Sequence, residues 1–248
     1  FFFPTGMAID LDEGSLFVTS ANSDLRYDSG TITVINLDRV EELAGSWLSS
    51  GQVPAGTDCE VDSTIVTTMV CNEAEAIVAD STIRTGNFAT EVAVQALDDG
   101  TARVFAAVRG DPSLTWADFD PASRSLECGG SGGAPRCDQD HRLNRLRGDE
   151  SIGSLPSEPF GLYVDSADGF VVVTHLSQGV VSLTDAPTDG RPPIVSDALG
   201  GVFDPDPITG VRSAISAAAR TPGGRVYVTS SSEERVQIFT VARTGTSL

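Results

Sequence analysis

The chain has 248 residues, with 35 acidic against 16 basic side chains and a formal net charge of −19. Binding to a nucleic acid or to an anionic membrane surface requires a basic face, so this balance argues against both kinds of partner. No apolar run approaches the roughly 20 residues that a membrane helix needs. The sequence therefore predicts no transmembrane segment.

One pattern of elements occurs four times along the chain. It consists of a short apolar strand, a tight turn with glycine, a β-branched strand, a loop and an alternating strand. The predicted strands lie at 7–10, 16–19 and 31–35, at 92–94, 103–106 and 114–119, at 162–164, 171–174 and 180–183, and at 215–219, 226–229 and 236–239. The turns carry Gly14, Gly100, Gly169 and Gly224, because a tight hairpin needs a positive φ that glycine adopts without steric cost.

The strand patterns predict an all-β fold. Alternation such as Thr31-Ile32-Thr33-Val34 places one face on a core and the other towards solvent. The middle strands are continuously apolar, as expected when both faces are covered. A parallel βαβ protein would need amphipathic helices between its strands, and the sequence offers one candidate, at 37–48.

Four similar units favour a β-propeller built from four-stranded antiparallel blades, because a propeller repeats one sheet radially whereas a sandwich does not. We predict a single domain over residues 1–248, with units near 4–40, 86–128, 156–187 and 211–243. The wide spacing implies insertions at 41–85, 129–155 and 188–210. Propellers have four to eight blades, so about four visible blades indicate a small ring or an incomplete one. The unusual ends, such as Phe1-Phe2-Phe3-Pro4, favour an incomplete ring in a fragment.

Two segments resemble the YVTN-type β-propeller repeat: Leu16-Phe17-Val18-Thr19-Ser20 and Val226-Tyr227-Val228-Thr229-Ser230. Longer stretches, at 21–31, 108–116 and 173–176, are similar to uncharacterised exported propeller lipoproteins of myxobacteria and their relatives. The resemblance implies a propeller in the periplasm, on the outer membrane or at the cell surface, with no established activity. The lipid-attachment cysteine of such lipoproteins has no counterpart near residue 1, so a lipid anchor would lie outside this segment.

The four cysteines form two local pairs, Cys59 with Cys71 and Cys128 with Cys137. Three disulfide connectivities are open to four cysteines, and turn-forming residues inside each pair favour the local one. A zinc site is disfavoured because both spacings exceed the two to four residues that zinc ribbons use. Free thiols remain the alternative; disulfides would indicate an oxidising compartment.

Loops that join the second and third strands should gather on one rim of the propeller, where ligands commonly bind. The rim candidates for ligand binding are Asn22, Asp24, Arg26, Asp28, Arg109, Asp111 and His175, with Tyr27, Gln178, Glu233 and Glu234 beside them. Mixed arginine and aspartate clusters can also brace loops through charge-assisted pairs. Both interpretations stay open at this point.

No catalytic residue is predicted. The Gly-x-Ser-x-Gly match at 129–133 lies inside a cysteine-bounded loop, not between a strand and a helix, and is interpreted as a flexible loop. No cofactor is predicted. The acidic segments are interpreted as surface, with calcium as the alternative, its oxygen ligands coming from Asp204 and Asp206 or from 10–14. Neither segment completes an EF-hand loop.

Three functions are compatible with these patterns. The first is a non-catalytic extracytoplasmic module that binds protein partners or organises a complex. The second is a calcium-assisted lactonase-like hydrolase, suggested by analogy with related propellers, in which Asn22, Asn87 and His175 would be candidate ligands of a central metal. The third is a binder of small ligands or glycans, which the scarcity of aromatic side chains mildly disfavours.

Overall fold

The computed structural model describes residues 2–10, 14–143, 155–208, 224–230 and 234–242, and the backbone of 215–220. These residues form four antiparallel blade sheets and a separate two-stranded hairpin. The first strand of each blade sheet lies beside the first strand of the next. No helix in the described ranges has the length and apolar character needed to cross a bilayer.

The first blade begins with three antiparallel strands, β1 (Pro4–Asp10), β2 (Ser15–Ser20) and β3 (Gly30–Asn36). Gly14 stands directly before β2 with a φ of 58°, as the predicted tight turn requires. The middle strand β2 is buried at five of its six residues. It pairs with β1 and β3 at its edges and also contacts the first strand of the second blade and the helix that follows β3.

Helix α1 (Leu37–Ser50) follows β3 directly. The side chain of Asn36 caps its first turn by accepting a hydrogen bond from the backbone N–H of Arg39, and Gly51 ends it in the left-handed conformation at φ 64°. Leu43 is the buried residue of the helix, which contacts β2. The helix predicted at 37–48 is therefore present and two residues longer at its C-terminal end.

After α1 the chain forms a separate two-stranded hairpin, β4 (Cys59–Val61) and β5 (Met69–Cys71), closed by the Cys59–Cys71 disulfide. It then returns to the first blade as β6 (Ile83–Gly86), which pairs with β3 as the fourth strand. Residues 83–85 of this strand lie in the segment predicted as an insertion, and Gly86 begins the predicted second unit. Four residues are too few to give a visible strand pattern in the sequence.

The second blade contains β7 (Ala89–Ala96), β8 (Ala102–Val108), β9 (Ser113–Asp120) and β10 (Ser125–Glu127). A further short strand, β11 (Arg142–Leu143), pairs with the other half of β9. The segment between β10 and β11 contains the Cys128–Cys137 disulfide. Both disulfides thus follow the local pairing that the sequence favours.

The third blade has four strands in sequence order, β12 (Pro159–Asp165), β13 (Phe170–His175), β14 (Val180–Asp185) and β15 (Ile194–Leu199). Its outermost strand again comes from a predicted insertion.

The fourth sheet has three described strands, β16 (Ile215–Arg220), β17 (Arg225–Ser230) and β18 (Val236–Thr240). In each of the four sheets the pairing of the first strand with the second shifts register near the start of the first strand. This common irregularity is a structural sign of the repeat.

The hydrophobic core lies between neighbouring blades rather than inside a single one. Phe17 of the first blade meets Phe119 of the second edge to face, with ring centroids 4.8 Å apart. Further clusters join the second blade to the third around Trp116 and Val173, and the third to the fourth around Val172 and Val228. Burial of apolar surface thus stabilises each blade against its neighbour.

Apolar side chains remain exposed on the two end blades of this row. Met7 and Ile9 of β1 are 71% and 55% exposed, and Val236 and Ile238 of β18 are 53% and 55% exposed. On the third blade, Ile194 and Leu199 of the outermost strand are also exposed, at 45% and 48%. The architecture is that of β-propeller blades, as the sequence predicts, and the described residues form four of them.

Candidate functional site

The loops that follow the second strands of the first two blades lie side by side. Phe88 precedes β7 and donates its backbone N–H to the carbonyl of Ala21, at 2.7 Å. Its own carbonyl accepts from the N–H of Arg109, at 3.0 Å. The predicted rim is therefore a continuous edge, hydrogen-bonded through the segment that connects the blades.

Asn22 is a buried structural residue of this rim. It adopts a φ of 51°, in the left-handed region that asparagine tolerates better than most residues. Its Oδ1 accepts from the N–H of Tyr27 at 2.9 Å, while Nδ2 donates to the carbonyl of Tyr27 at 2.7 Å and to Oδ1 of Asn87 at 2.6 Å. The structure brings Asn22 and Asn87 together, but directs their amides at each other and at the loop.

The charged candidates of the first blade are exposed. Asp24 accepts from the backbone N–H of Arg26 at 3.1 Å, and the Arg26 guanidinium lies 5.9 Å from the ring centroid of Phe2. Asp28 pairs with Arg84 of β6 at 2.6 Å. These contacts tie the loop to both edges of its own blade.

The charged rim candidates of the second blade form ion pairs with residues outside their own loop. Arg109 binds Glu158, the residue before the third blade, at 3.0 Å. Hydrogen bonds from Ser177 and then from Arg109 lower the pKa of the Glu158 carboxyl. Asp111 pairs with the buried Arg142 of β11, and Arg136 stands 3.7 Å away. The arginine and aspartate side chains are thus engaged with one another.

His175 is fully buried at the end of β13. Its Nδ1 lies 3.0 Å from the carbonyl of Ser157, and its Nε2 lies 2.7 Å from the hydroxyl of Ser182. Because a carbonyl only accepts, Nδ1 carries the proton and Nε2 accepts from Ser182. Burial lowers the pKa of His175 to about 4, so the ring is neutral at physiological pH.

The Ser182–His175 contact has the spacing of a nucleophile and its base, but it lacks the features that catalysis needs. The third partner is the Ser157 carbonyl rather than a carboxylate, and neither Ser182 nor His175 is accessible to solvent. The contact therefore holds β13 to β14 and to the segment before the third blade. Gln178 supports the same segment by donating to Ser157 Oγ at 2.7 Å.

The calcium candidates do not converge on one another. Asp204 pairs with Arg235 at 2.7 Å, and Asp206 accepts from the N–H of Ile208 at 2.9 Å. Within the described ranges, no three histidine, cysteine or acidic side chains gather in a metal-binding arrangement. Residues 11–13, 209–210 and Glu233 fall outside the described part of the chain, and calcium binding stays a prediction.

The Gly-rich match at 129–133 lies in a loop whose far end, at 134–137, is hydrogen-bonded to β6. The carbonyls of Pro135 and Ala134 accept from the backbone N–H and Nε of Arg84 at 2.8 and 2.9 Å. The Arg84 carbonyl in turn accepts from the N–H of Cys137 at 3.0 Å. The loop is therefore joined to the outermost strand of the first blade, and Ser131 is exposed on it.

Glu91 is a polar residue near the centre of the blade row that the sequence patterns did not single out. It sits on β7 next to the register shift, in the position where the first and fourth blades have Gly6 and Ala217. Its Oε2 accepts from the N–H of Leu162 at 2.7 Å, and burial raises the pKa of its carboxyl. Comparing the four units residue by residue would have shown this exception.

Arg103 was also missed, because it opens a strand that otherwise appears apolar. Its guanidinium is buried 4.6 Å from the ring centroid of Trp116. It donates to Asp118 at 3.3 Å and to the carbonyls of Arg191 and Gly190 at 3.2 and 3.4 Å. Burial lowers the pKa of Arg103. This side chain joins the second blade to a loop of the third, a structural role.

An open cleft of about 520 Å³ lies beside the first blade, and some of the rim candidates line it. Asn22 and Asp28 contribute to its lining, together with Arg84 and the hydroxyl-bearing Thr31 and Thr33. Such a lining can donate and accept hydrogen bonds.

The fold is similar to that of solved β-propellers. The β-propeller domain of Cps50 (Swd1) from Myceliophteria thermophila matches 96% of this chain and 54% of its own length, with a TM-score of 0.52 and 8% identity. A putative 6-phosphogluconolactonase from Bacteroides uniformis ATCC 8492 matches 96% and 57%, with a TM-score of 0.50 and 12% identity. The chain thus spans little more than half the length of these proteins. At such identities the likeness shows the fold alone. No family model and no curated protein matches the sequence.

Proposed function

We propose that this chain is a non-catalytic, extracytoplasmic β-propeller of the YVTN type that acts as a protein-interaction module. The main observation behind the proposal is that the polar side chains of the rim are hydrogen-bonded or ion-paired to other residues of the protein. Asn22, Asp28, Arg109 and Asp111 are each bonded to another residue of the scaffold, and His175 is buried with both ring nitrogens occupied.

This engagement supports the bracing interpretation over a catalytic one. A catalytic group must reach the substrate, and the one serine–histidine contact described above is inaccessible to it. A propeller with a braced rim presents a rigid surface, and rigid surfaces bind partners with little loss of conformational entropy.

Two observations support an extracytoplasmic location. Both cysteine pairs form disulfides, which persist in oxidising compartments and are rare in the cytosol. The YVTN-type phrases on β2 and β17, which resemble repeats of exported proteins, lie on equivalent strands.

The exposed apolar positions of the end blades support the expectation of a larger ring. Met7 and Ile9 stand at one end of the row, Val236 and Ile238 at the other, and both lie where an adjoining blade would cover them. We expect additional blades in the intact protein, and the mass of the protein isolated from its host measures this directly.

The function is tested in the native host with an epitope-tagged protein. Cells are fractionated, and intact cells are treated with a short amine-independent photochemical cross-linker, because the chain contains no lysine. We expect the protein outside the cytoplasm, with both disulfides oxidised, in a stoichiometric complex with a defined protein.

The same purified protein is assayed for hydrolysis of simple sugar lactones with and without calcium, and for bound metal. We expect neither turnover nor a stoichiometric ion. Calcium-dependent lactone hydrolysis abolished by Asn22→Ala would replace the proposal with the hydrolase alternative. A monomeric protein retained on a glycan array through Asp28 and Arg84 would replace it with the glycan binder.

A further inference from the structure

The hairpin of β4 and β5 is a sheet separate from the four blades, and it exposes apolar side chains. Opposite residues of an antiparallel pair share a face, so the Cys59–Cys71 disulfide and the Val61–Met69 pair lie together. The connecting loop places Ile65 and Val66 at the far end, where these side chains are 57% and 73% exposed. Val61 on this face is 39% exposed, and Val70, which pairs with Glu60 on the opposite face, is 45% exposed. Ile65, Val66, Val61 and Val70 together form the exposed apolar strip of the hairpin.

The tip is ordered by its own hydrogen bonds. Asp62 Oδ1 accepts from the backbone N–H groups of Thr64 and Ile65, both at 2.7 Å. The backbone of the loop closes through Asp62 N–H to the Thr68 carbonyl at 2.9 Å and Thr68 N–H to the Ile65 carbonyl at 2.8 Å. These hydrogen bonds constrain the backbone that carries the two exposed apolar residues.

The base of the hairpin is fixed to α1. Glu75 accepts from the backbone N–H of Asp58 at 2.7 Å and pairs with Arg39 of the helix at 2.9 Å. Asn72 Nδ2 donates to the Asp58 carboxylate at 2.9 Å. A lone two-stranded hairpin is marginally stable in water, and here a disulfide and an anchored base hold it without burying its side chains.

An ordered hairpin with exposed apolar residues has the features of a binding element. Contiguous exposed apolar surface marks interaction sites on soluble proteins, and an element already fixed in its bound shape loses little entropy on binding. The charge of the hairpin itself indicates the partner: Asp58, Glu60 and Asp62 lie on it or at its base, and residues 51–75 contain no basic side chain. Charge complementarity requires a basic surface opposite.

We propose that this hairpin docks into a partner protein, inserting Ile65 and Val66 into an apolar pocket that is rimmed by arginine or lysine. The proposal rests on the proposed function and specifies which part of the module makes contact. The acidic flank, with Glu60 beside the apolar strip, sets the register of docking and disfavours an anionic lipid surface.

The test uses the full chain in its native host, with a photoreactive benzoyl-phenylalanine at position 65. The matched control carries the same group at position 194, because Ile194 is 45% exposed on an edge strand of another blade. We expect one protein adduct from position 65, about tenfold above the control, as a buried anchor of an interface would give. The cross-linked peptide of the partner is expected to carry arginine or lysine.

The cross-linked protein is then purified, and its affinity for the chain is measured. Ile65→Ser with Val66→Ser is expected to raise the Kd about thirtyfold, whereas Ile194→Ser changes it less than about twofold. Glu60→Gln is expected to reduce the salt dependence of the Kd. Both serine variants remove only exposed side chains, and retention of the Cys59–Cys71 disulfide is checked by mass spectrometry.

Several outcomes would overturn the docking proposal: no adduct above the control, an adduct with a second copy of this chain or with lipid, an acidic contact surface, or an unchanged Kd. Failure of the broader function looks different. If adducts form from the control position and not from 65, the module binds through another face and the proposed function stands. If no position gives a protein adduct, both fail.

Discussion

The two disulfide loops contain the same bond over similar spans, 12 and 9 residues apart in sequence, yet they lie in opposite surroundings. Cys128 and Cys137 are buried in the core between the first and second blades. Cys59 and Cys71 are half-buried in a hairpin that belongs to none of the core clusters of the described residues. One disulfide is part of the scaffold, and the other holds an element that the scaffold displays.

This contrast shows that the stabilising effect of a disulfide depends on which unit unfolds. On the chain-entropy model either loop gains about 3 kcal/mol from closure. Proteins open locally as well as globally, so a bond in the core stabilises the whole blade row. A bond in a solvent-exposed hairpin stabilises that hairpin alone.

The largest effect is expected from the double substitution Cys128→Ala and Cys137→Ala. It removes a crosslink and leaves two small cavities in an interblade core, so the free energy of unfolding should fall by about 4 kcal/mol. Urea unfolding followed by tryptophan fluorescence, from Trp47 and Trp116, measures the change. A loss below about 1 kcal/mol would show that the loop is not part of the cooperative unit.

The next effect comes from the pH dependence of the scaffold. His175 has a pKa of about 4 when folded and about 6.5 when unfolded, so the unfolded chain binds the proton first. Stability is therefore complete above pH 6.5 and declines by about 3 kcal/mol as pH falls through 4.

Carboxylates titrate over part of the same range, so the measured quantity is the difference between the wild type and His175→Gln. Chemical unfolding between pH 7.5 and 4 should show a weaker decline for the variant, with Ser131→Ala as an exposed-site control. Parallel curves for the wild type and His175→Gln would contradict the burial of a neutral ring.

A smaller global effect is expected from Cys59→Ala with Cys71→Ala. Because the hairpin packs on no core, the free energy of global unfolding should change by less than about 1 kcal/mol. Limited proteolysis should instead cut between 59 and 71 at least about tenfold faster than in the wild type. If the free energy of global unfolding falls as much as in the Cys128 and Cys137 variant, the Cys59–Cys71 disulfide also stabilises the blades, and the contrast between the two disulfides is wrong.

The smallest effect is expected at the base of the hairpin. Glu75→Gln removes the charge that pairs with Arg39 and keeps an oxygen that can accept from the Asp58 N–H. Amide exchange in the hairpin should accelerate about threefold, as for the loss of one surface ion pair, with exchange in β8 unchanged. Glu42 also pairs with Arg39, so Glu42→Gln is the matched control. An equal acceleration of amide exchange in that variant would show that Glu75 does not anchor the hairpin.

Much of the fold follows from local patterns in the sequence. Gly14, Gly100 and Gly224 have the positive φ that the turn pattern predicts, and the apolar phrases around Val18, Val104 and Val228 form the middle strands. The outermost strands were missed because β6 and β15 are short or exposed and their residues carry no periodic signal.

The candidate site was less predictable, because exposure and pairing depend on neighbours that are distant in sequence. His175 ends an apolar strand, and only its packing against Ser157 and Ser182 shows that it is buried and engaged. Arg109 pairs with Glu158, 49 residues away. The hairpin at 59–71 has no repeat signal at all, and its exposed strip appears only once the blades are assembled.

Native-state hydrogen exchange tests the division between scaffold and displayed hairpin most directly. Amide exchange in β5 and in the segment 125–137 is followed by mass spectrometry at rising urea, below the unfolding transition. The account predicts that 125–137 exchanges only through global unfolding, whereas β5 exchanges through a local opening of lower free energy that depends little on urea. Equal opening free energies and equal urea dependence in the two segments would contradict it.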